Sequence, residues 1–197
     1  MAEPGYKQLF SYKLAQIAFI IGWEFVPLYY QKYEDHRQRD QIKQALRSDK
    51  QNIVEGSSER SLSSKLKLYD VAKSSGMEAL EDFEDILRFE HLQPWDKNDP
   101  RLIKLRRFIE NYPPNPSNSS YPPNIASVKA ILGIKTEGLG GREGIDGIVN
   151  YLIDVLVRGG YLLDKQINAV ETKHEAEGGY SENLLKKRLA YKYKTKS

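Results

Sequence analysis

The feature that most constrains the fold is a regular alternation of side chains between residues 62 and 87. Its members recur in steps of four and three: Leu62, Leu66, Tyr69, Lys73, Gly76, Leu80, Phe83 and Leu87. This spacing places them all on one face of a helix that packs along another helix. A glycine inside a helix costs about 1 kcal/mol relative to alanine. Gly76 therefore indicates either the close approach of a neighbouring backbone or a tolerated glycine.

Three other stretches share this helical periodicity. We expect helices over residues 6–33, 40–55 and 142–175, in addition to the one over residues 61–89. Pro27 should kink or break the first of them, because proline lacks a backbone N–H and clashes with the preceding turn. Long amphipathic helices that must bury their apolar faces against one another predict an all-α chain.

Several residues are expected to mark helix ends. Gly56 fits the C-terminus of the second helix, because glycine enters the left-handed region without steric cost. Ser61 fits the N-cap of the third helix. Ser181 fits the N-cap of a short helix near the end of the chain.

A segment of different composition separates the third helix from the last long one, at about residues 96–141. Within it, residues 101–111 predict a short amphipathic helix and residues 126–134 predict another. The Pro-, Asn- and Ser-rich stretch at 112–124 predicts a loop. The inward face of the first short helix is expected to be Leu102, Leu105 and Ile109.

Length and composition bound the domain organisation and the compartment. A chain of 197 residues predicts one domain or a domain with an appendage. We expect a bundle over residues 1–175, with an insertion at about 96–141, and a basic C-terminal suffix over residues 176–197. The absence of cysteine excludes disulfides and thiolate metal sites and favours a cytoplasmic location. The first residues lack a basic region followed by an apolar core, so we expect no signal peptide. A net charge of +3 is too small for a nucleic-acid signature of the whole chain.

The run IAFIIGWEFV at residues 17–26 is apolar on nearly all sides, with Glu24 as its one charge. It is too short to span a membrane, which takes about 20 apolar residues. A helix that is apolar all round is buried on more than one side. For the second buried side we favour a subunit interface over a solvent-facing apolar stripe. The predicted interface residues are Phe19, Ile20, Trp23 and Phe25.

Basic residues recur along one face of the second helix. Lys43, Arg47 and Lys50 are four and three residues apart, so successive turns bring them to the same face. Arg37 and Arg39 lie just before this helix. Two interpretations remain open, namely a solvated helix face and a surface that binds nucleic acid.

The C-terminal suffix mixes cations with aromatic rings. Lys186, Lys187 and Arg188 precede the stretch YKYKTKS, in which lysines alternate with tyrosines. Cations bind phosphates and rings stack on bases, so this mixture suits single-stranded nucleic acid. The alternative is a soluble, frayed terminus.

The residue pattern gives little support to enzyme or metal chemistry. The three histidines fall in predicted turns or at helix ends, and the Glu-x-x-His pairs of di-iron bundles are absent. The segment KTEGLGGREG lacks the Lys-Ser/Thr that follows the last glycine of a P-loop. No nucleophile and base can be paired. We predict no catalytic residue, no metal site and no cofactor.

Two motifs carry a resemblance to a known family. The first, Arg-Ser-x-x-Gln-Asn-Ile-x-Glu-Gly, is formed by Arg47, Ser48, Gln51, Asn52, Ile53, Glu55 and Gly56. The second places small residues before Leu-Glu-Asp and is formed by Ser74, Ser75, Gly76, Leu80, Glu81 and Asp82. In these motifs the chain resembles the four-helix-bundle proteins of 23S ribosomal RNA intervening sequences. YLLDKQI at 161–167 and EGGYSENLLKKRLA at 177–190 are similar to the longer subgroup with a C-terminal suffix.

The resemblance implies an up-down-up-down four-helix bundle that assembles as a homopentamer. A related protein is the accessory variability determinant of diversity-generating retroelements, a basic pentamer that binds nucleic acid and a reverse transcriptase. The present chain departs from that protein in being nearly neutral over its bundle.

Two functional hypotheses follow. The first is a non-enzymatic, oligomeric bundle that binds structured RNA or single-stranded nucleic acid, with a reverse transcriptase as a candidate partner. Its predicted contacts are Arg37, Arg39, Lys43, Arg47, Lys50, Lys186, Lys187 and Arg188. The second is a homo-oligomeric protein–protein scaffold without nucleic-acid binding, built by the apolar first helix and the acidic end of the third.

Overall fold

The computed structural model describes residues 4–110, 124–135 and 137–194, and these residues form helices, turns and short connections without a strand. The prediction of an all-α chain is confirmed. The α-helices are α1 (Phe10–Tyr29), α2 (His36–Ser58), α3 (Leu62–Phe89), α4 (Pro100–Glu110), α5 (Ile125–Leu132), α6 (Gly141–Glu177) and α7 (Tyr180–Lys194). No helix in these ranges is long and apolar enough to cross a membrane.

The four long helices α1, α2, α3 and α6 build the core. α1 packs against α2 and α6, and α3 packs against the same two helices. Phe25, Phe83 and Tyr151 are among the largest fully buried side chains between them. Two of these helix pairs are antiparallel. Between α1 and α2, Tyr30 contacts Arg39 and Phe19 contacts Lys50. Between α2 and α3, Gln38 contacts Asp82 and Ser57 contacts Lys65. The up-down-up-down order of all four helices stays a prediction.

Gly56 does not end the second helix in the left-handed region, which corrects the prediction. α2 continues through Gly56 to Ser58, and Gly56 is not among the residues with positive φ. A Cβ atom at Gly56 would lie 2.7 Å from the ring of Tyr69 on α3. The glycine therefore serves the close packing of α2 on a tyrosine ring, which the sequence of α2 alone cannot reveal.

The other helix ends follow local chemistry with small shifts. Pro27 stands in the last turn of α1, which ends at Tyr29 rather than at residue 33. Ser61 caps α3 as predicted, because its hydroxyl accepts a hydrogen bond from the Ser64 N–H at 3.4 Å. Ser181 does not cap α7, since that helix begins one residue earlier at Tyr180.

The described residues between α3 and α6 form two short helices at the predicted places. Leu102, Leu105 and Ile109 on α4 are buried, as predicted. Asn124 accepts a hydrogen bond from the Ser127 N–H at 2.9 Å and starts α5. The rest of the predicted loop at 112–124 lies outside the described residues.

Polar side chains spaced four residues apart on α6 form hydrogen bonds with α4 and with the segment that precedes it. Asn150 accepts a hydrogen bond from the Trp95 N–H at 2.7 Å, and Asp146 accepts one from the Trp95 indole at 3.1 Å. Four residues further along α6, Asp154 accepts a hydrogen bond from Arg106 at 3.1 Å. These side chains at helical spacing therefore face a neighbouring segment rather than open solvent.

Candidate functional site

Aromatic rings and cations interleave on the surface formed by α1 and α2. Phe19 and Trp23 stand one turn apart on α1, with ring centroids 5.2 Å apart. The ammonium of Lys43 lies 4.4 Å from the Trp23 ring centroid, and that of Lys50 lies 3.8 Å from the Phe19 ring centroid. We call Phe19, Trp23, Lys43, Arg47 and Lys50 the ring–cation surface. The antiparallel packing of two helices creates it, because the periodic cations of α2 meet the aromatic edge of α1.

The cations of the ring–cation surface are not neutralised by carboxylates. Among the described residues, no ion pair includes Lys43, Arg47 or Lys50. Burial lowers the pKa of the Lys50 ammonium, and the neighbouring Arg47 guanidinium lowers it further. A bound anion would relieve this repulsion, so the surface favours a negatively charged ligand.

The predicted interface residues of α1 separate into two groups. Trp23 is 46% exposed, and Phe19 and Ile20 are half-buried. Phe25 is fully buried in the core, where its ring stacks on Tyr29 at 5.6 Å. The prediction that Phe25 contacts a second copy is therefore corrected, because its side chain does not reach the surface. The predicted interface and the predicted nucleic-acid contacts meet on the same surface, at Phe19 and Trp23.

Arg37 lies on the opposite edge of α2. It lines a broad cleft of about 910 Å³ between α2 and α3, together with acidic residues that include Glu78 and Asp82. Gln38 donates a hydrogen bond to Asp82 at 2.7 Å. Burial raises the pKa of Asp82, the Gln38 hydrogen bond lowers it, and the carboxylates of Asp85 and Glu78 raise it. Arg37 therefore lies apart from Lys43, Arg47 and Lys50. The carboxylates around it would repel a phosphate group.

The remaining predicted contacts lie elsewhere. The Arg39 guanidinium donates a hydrogen bond to the Tyr30 carbonyl oxygen at 3.3 Å, where α1 ends beside the start of α2. Lys186, Lys187 and Arg188 are exposed on α7. Every residue from 180 to 192 is exposed except Asn183. The exposed residues include three leucines, Leu184, Leu185 and Leu189.

A second candidate site was not predicted from the sequence. Asp49 is only 5% exposed, and its Oδ1 atom has no hydrogen-bond partner among the described residues. Burial raises its pKa to about 7. A sequence signal existed, since Asp49 stands three residues after Leu46 and four before Ile53, within the apolar stripe of α2. An acid at such a position indicates a buried carboxylate.

Metal and enzyme chemistry gain no support from the described geometry. No group of three or more histidine, aspartate or glutamate side chains in these ranges could hold a metal ion. His36 is exposed, and its ring Nδ1 lies 2.9 Å from the Tyr33 carbonyl oxygen. No described nucleophile is paired with a base through the hydrogen bonds of the site. The expectation of a non-enzymatic protein stays a prediction.

No protein-family model matches this chain, and no curated protein or solved structure matches it. The resemblance to the intervening-sequence proteins therefore rests on the quoted motifs alone. Function has to be inferred from the side chains that the fold brings together.

Proposed function

We propose that this chain is a non-enzymatic helical protein that binds single-stranded nucleic acid along the ring–cation surface of α1 and α2. The observation that carries the proposal is the contact of unpaired cations with partly exposed rings on one surface. Lys43 lies over Trp23, and Lys50 lies over Phe19, with Arg47 exposed beside them.

The phosphates and the bases of a single strand can both bind to this surface. Lysine and arginine bind phosphates, and an aromatic ring stacks on a base with roughly 1–3 kcal/mol per base. Lys43 stands on a flexible four-carbon stem. A phosphate can draw its ammonium away from Trp23, which then exposes a ring face for stacking.

The charge distribution around α2 orients such a ligand. One edge of α2 carries Lys43, Arg47 and Lys50, whereas the other edge borders Glu78, Glu81 and Asp82. A polyanion is attracted to the first edge and repelled from the second, so the strand is expected to follow the α1–α2 surface. The exposed cations of α7 supply a separate basic segment.

The test is the affinity for a short fluorescein-labelled oligothymidylate, measured by fluorescence anisotropy from about 50 to 200 mM salt. We expect the variant K43Q/R47Q/K50Q to lose at least about tenfold in affinity. Three phosphate contacts on a single strand correspond to a slope of roughly −2 in a plot of log affinity against log salt concentration, and the variant should lose that part of the slope. Glutamine keeps two of the four lysine methylenes and two of the three arginine methylenes, so each position retains an uncharged polar side chain of intermediate length beside Phe19 and Trp23.

The matched control is Arg37→Gln, which removes one positive charge from the same helix on its opposite edge. It should change the affinity by less than about twofold, because Arg37 lies beside acidic side chains. A wild-type protein that does not bind the oligonucleotide would overturn the proposal. An equal loss per charge in both variants would also overturn it, since only diffuse charge would then act.

A second candidate function is a homo-oligomeric protein–protein scaffold. It is favoured by the 46% exposure of Trp23 and by the exposed leucines of α7. A ring covered by a second copy is not free to stack on a base, so the two functions compete for Trp23. Trp23→Ala should weaken oligonucleotide binding about fivefold or more if the ring stacks on a base. If Trp23→Ala instead lowers the mass of the assembly in solution, and neither wild type nor the variant binds the oligonucleotide, the scaffold function is favoured.

A further inference from the structure

The Asp49 carboxyl group lies at a cleft of about 310 Å³ between α2, α3 and α6. A Cβ atom at Gly76 would lie 3.4 Å from the Asp49 carboxyl carbon and from Oδ2, so the small residue keeps the space beside the carboxyl open. The absence of a side chain at Gly76 thus leaves room where a larger residue would cover the acid.

The wall of the Asp49 cleft is mainly apolar. Its lining includes Leu80 of α3 and Leu156 of α6, with Met77 at 55% exposure where the cleft opens. Lys73 and Asp164 also line it, and they bind each other at 2.5 Å. Since this pair is internally neutral, the cleft carries one uncompensated acid, Asp49.

We propose that the Asp49 cleft binds a small organic monocation, an alkylammonium whose head group pairs with the Asp49 carboxylate and whose hydrocarbon body packs on Leu80, Leu156 and Met77. The site is separate from the ring–cation surface, so it stands whether or not the chain binds nucleic acid.

The chemistry of the cleft selects this ligand class. A buried carboxylate without a partner is stabilised by a donor that is itself positively charged. A divalent metal ion needs several oxygen ligands, and Asp49 offers one carboxylate. An anion would be repelled by Asp49 when it is ionised. Apolar walls with a few convergent polar groups are typical of small-molecule sites, and a volume near 300 Å³ fits a small ligand.

Met77 supplies a direct reporter for the test. The chain has two methionines, Met1 and Met77, so methyl-labelled methionine gives two signals, which Met77→Leu assigns. We expect the Met77 methyl resonance to shift saturably with n-butylammonium chloride and not with sodium chloride at equal concentration. Neutral n-butanol should bind at least about tenfold more weakly, because it lacks the charge that pairs with Asp49. Affinity should rise roughly fourfold per methylene from ethyl- to butylammonium.

The variants separate a binding role of Asp49 from a structural one. Asp49→Asn should weaken butylammonium binding at least about tenfold. Asp40→Asn removes an exposed carboxylate from the same helix and should leave the affinity unchanged. Gly76→Ala should weaken butylammonium binding severalfold, because the alanine methyl group would lie in ordinary contact with the Asp49 carboxyl group and occupy the space beside it.

The pH dependence gives a further signature. Lys73 of α3 and both Tyr161 and Asp164 of α6 are the other titratable groups that line the cleft, and among the described residues none from α1 lines it. Because burial raises the pKa of Asp49 to about 7, affinity should rise about tenfold per pH unit below that value and then level off. The Asp49→Asn variant should show a flat profile. An unresponsive Met77, equal binding of butanol, or undiminished binding to Asp49→Asn would each overturn the proposal.

Discussion

Two buried aspartates in this bundle have similar exposure and opposite surroundings. Asp49 on α2 is 5% exposed and Asp154 on α6 is 8% exposed. Asp154 accepts hydrogen bonds from the Arg106 guanidinium and lies 3.8 Å from Arg158. Asp49 has no ion pair among the described residues, and its Oδ1 accepts no hydrogen bond.

The comparison shows that burial alone does not decide what an acid does in a core. Hydrogen bonding to Asp154 raises the pKa of Arg106, so the guanidinium stays protonated and paired with the carboxylate. Desolvation raises the pKa of Asp49 to about 7 without a compensating partner. A partnered carboxylate stabilises the docking of α4, whereas an unpartnered one costs stability and is free to bind a ligand.

The same substitution at the two positions should have opposite effects, and the larger one is expected at Asp154. Asp154→Asn leaves the Arg106 guanidinium without its countercharge, so we expect the free energy of unfolding to fall by about 3–5 kcal/mol. Urea denaturation followed by circular dichroism measures this change. A loss below about 1 kcal/mol would show that Arg106 finds another partner, and the contrast with Asp49 would fail.

Asp49→Asn should instead stabilise the protein, in a pH-dependent way. The folded pKa of about 7 lies well above the ordinary aspartate value of 3.8, so the fold favours the protonated acid. The contribution of Asp49 to the free energy of unfolding is therefore least unfavourable at low pH and becomes more unfavourable as the pH rises from about 4 to 7. At about pH 8 the variant should be more stable than wild type by about 2–4 kcal/mol, and near pH 4 the two should be similar.

Denaturation midpoints across that pH range check this expectation, with Asp40→Asn as the control for an exposed carboxylate. A variant that is less stable than wild type at every pH would mean that Asp49 has a favourable partner in the fold. The comparison with Asp154 would then lose its basis.

The smallest effect is expected at the exposed ion pair beside Asp49. The side chains of Lys73 and Asp164 are 34% and 48% exposed, so solvent screens their attraction. Lys73→Met should change the free energy of unfolding by less than about 1 kcal/mol at neutral pH. A loss as large as that of Asp154→Asn would show that burial is not what separates strong from weak ion pairs here.

The helices could be predicted from the sequence to a useful extent. The apolar face of α4 indicates which of its side chains are buried, because helical period is a local property. The four-three spacing of α3 indicates a helix but only part of its buried face, since Leu62, Leu66 and Leu80 are half-buried. The buried stripe of α3 also includes Ala72, Ala79 and Ile86, which lie outside the predicted seam. Gly56 could not be interpreted in this way. Its role depends on Tyr69, which approaches only after α2 and α3 pack together.

The candidate surface could be predicted in part. The spacing of Lys43, Arg47 and Lys50 places them on one face of α2. The contact of Lys43 and Lys50 with the rings of α1 depends on antiparallel packing, which the spacing does not specify. The prediction for Phe25 failed because a helix apolar on all sides does not reveal which sides face its own bundle and which face outward.

The sequence by itself determined that this chain is all-α, where its long helices run and which cations share a face, because these properties repeat within a few residues along the chain. Only the tertiary structure decided which buried charges meet a partner from a distant part of the chain. Arg106 reaches Asp154 across 48 residues of sequence, and no cation reaches Asp49 among the described residues. The physical reason is that a buried charge is governed by whatever lies within a few ångströms of it, and distant parts of the chain supply those neighbours.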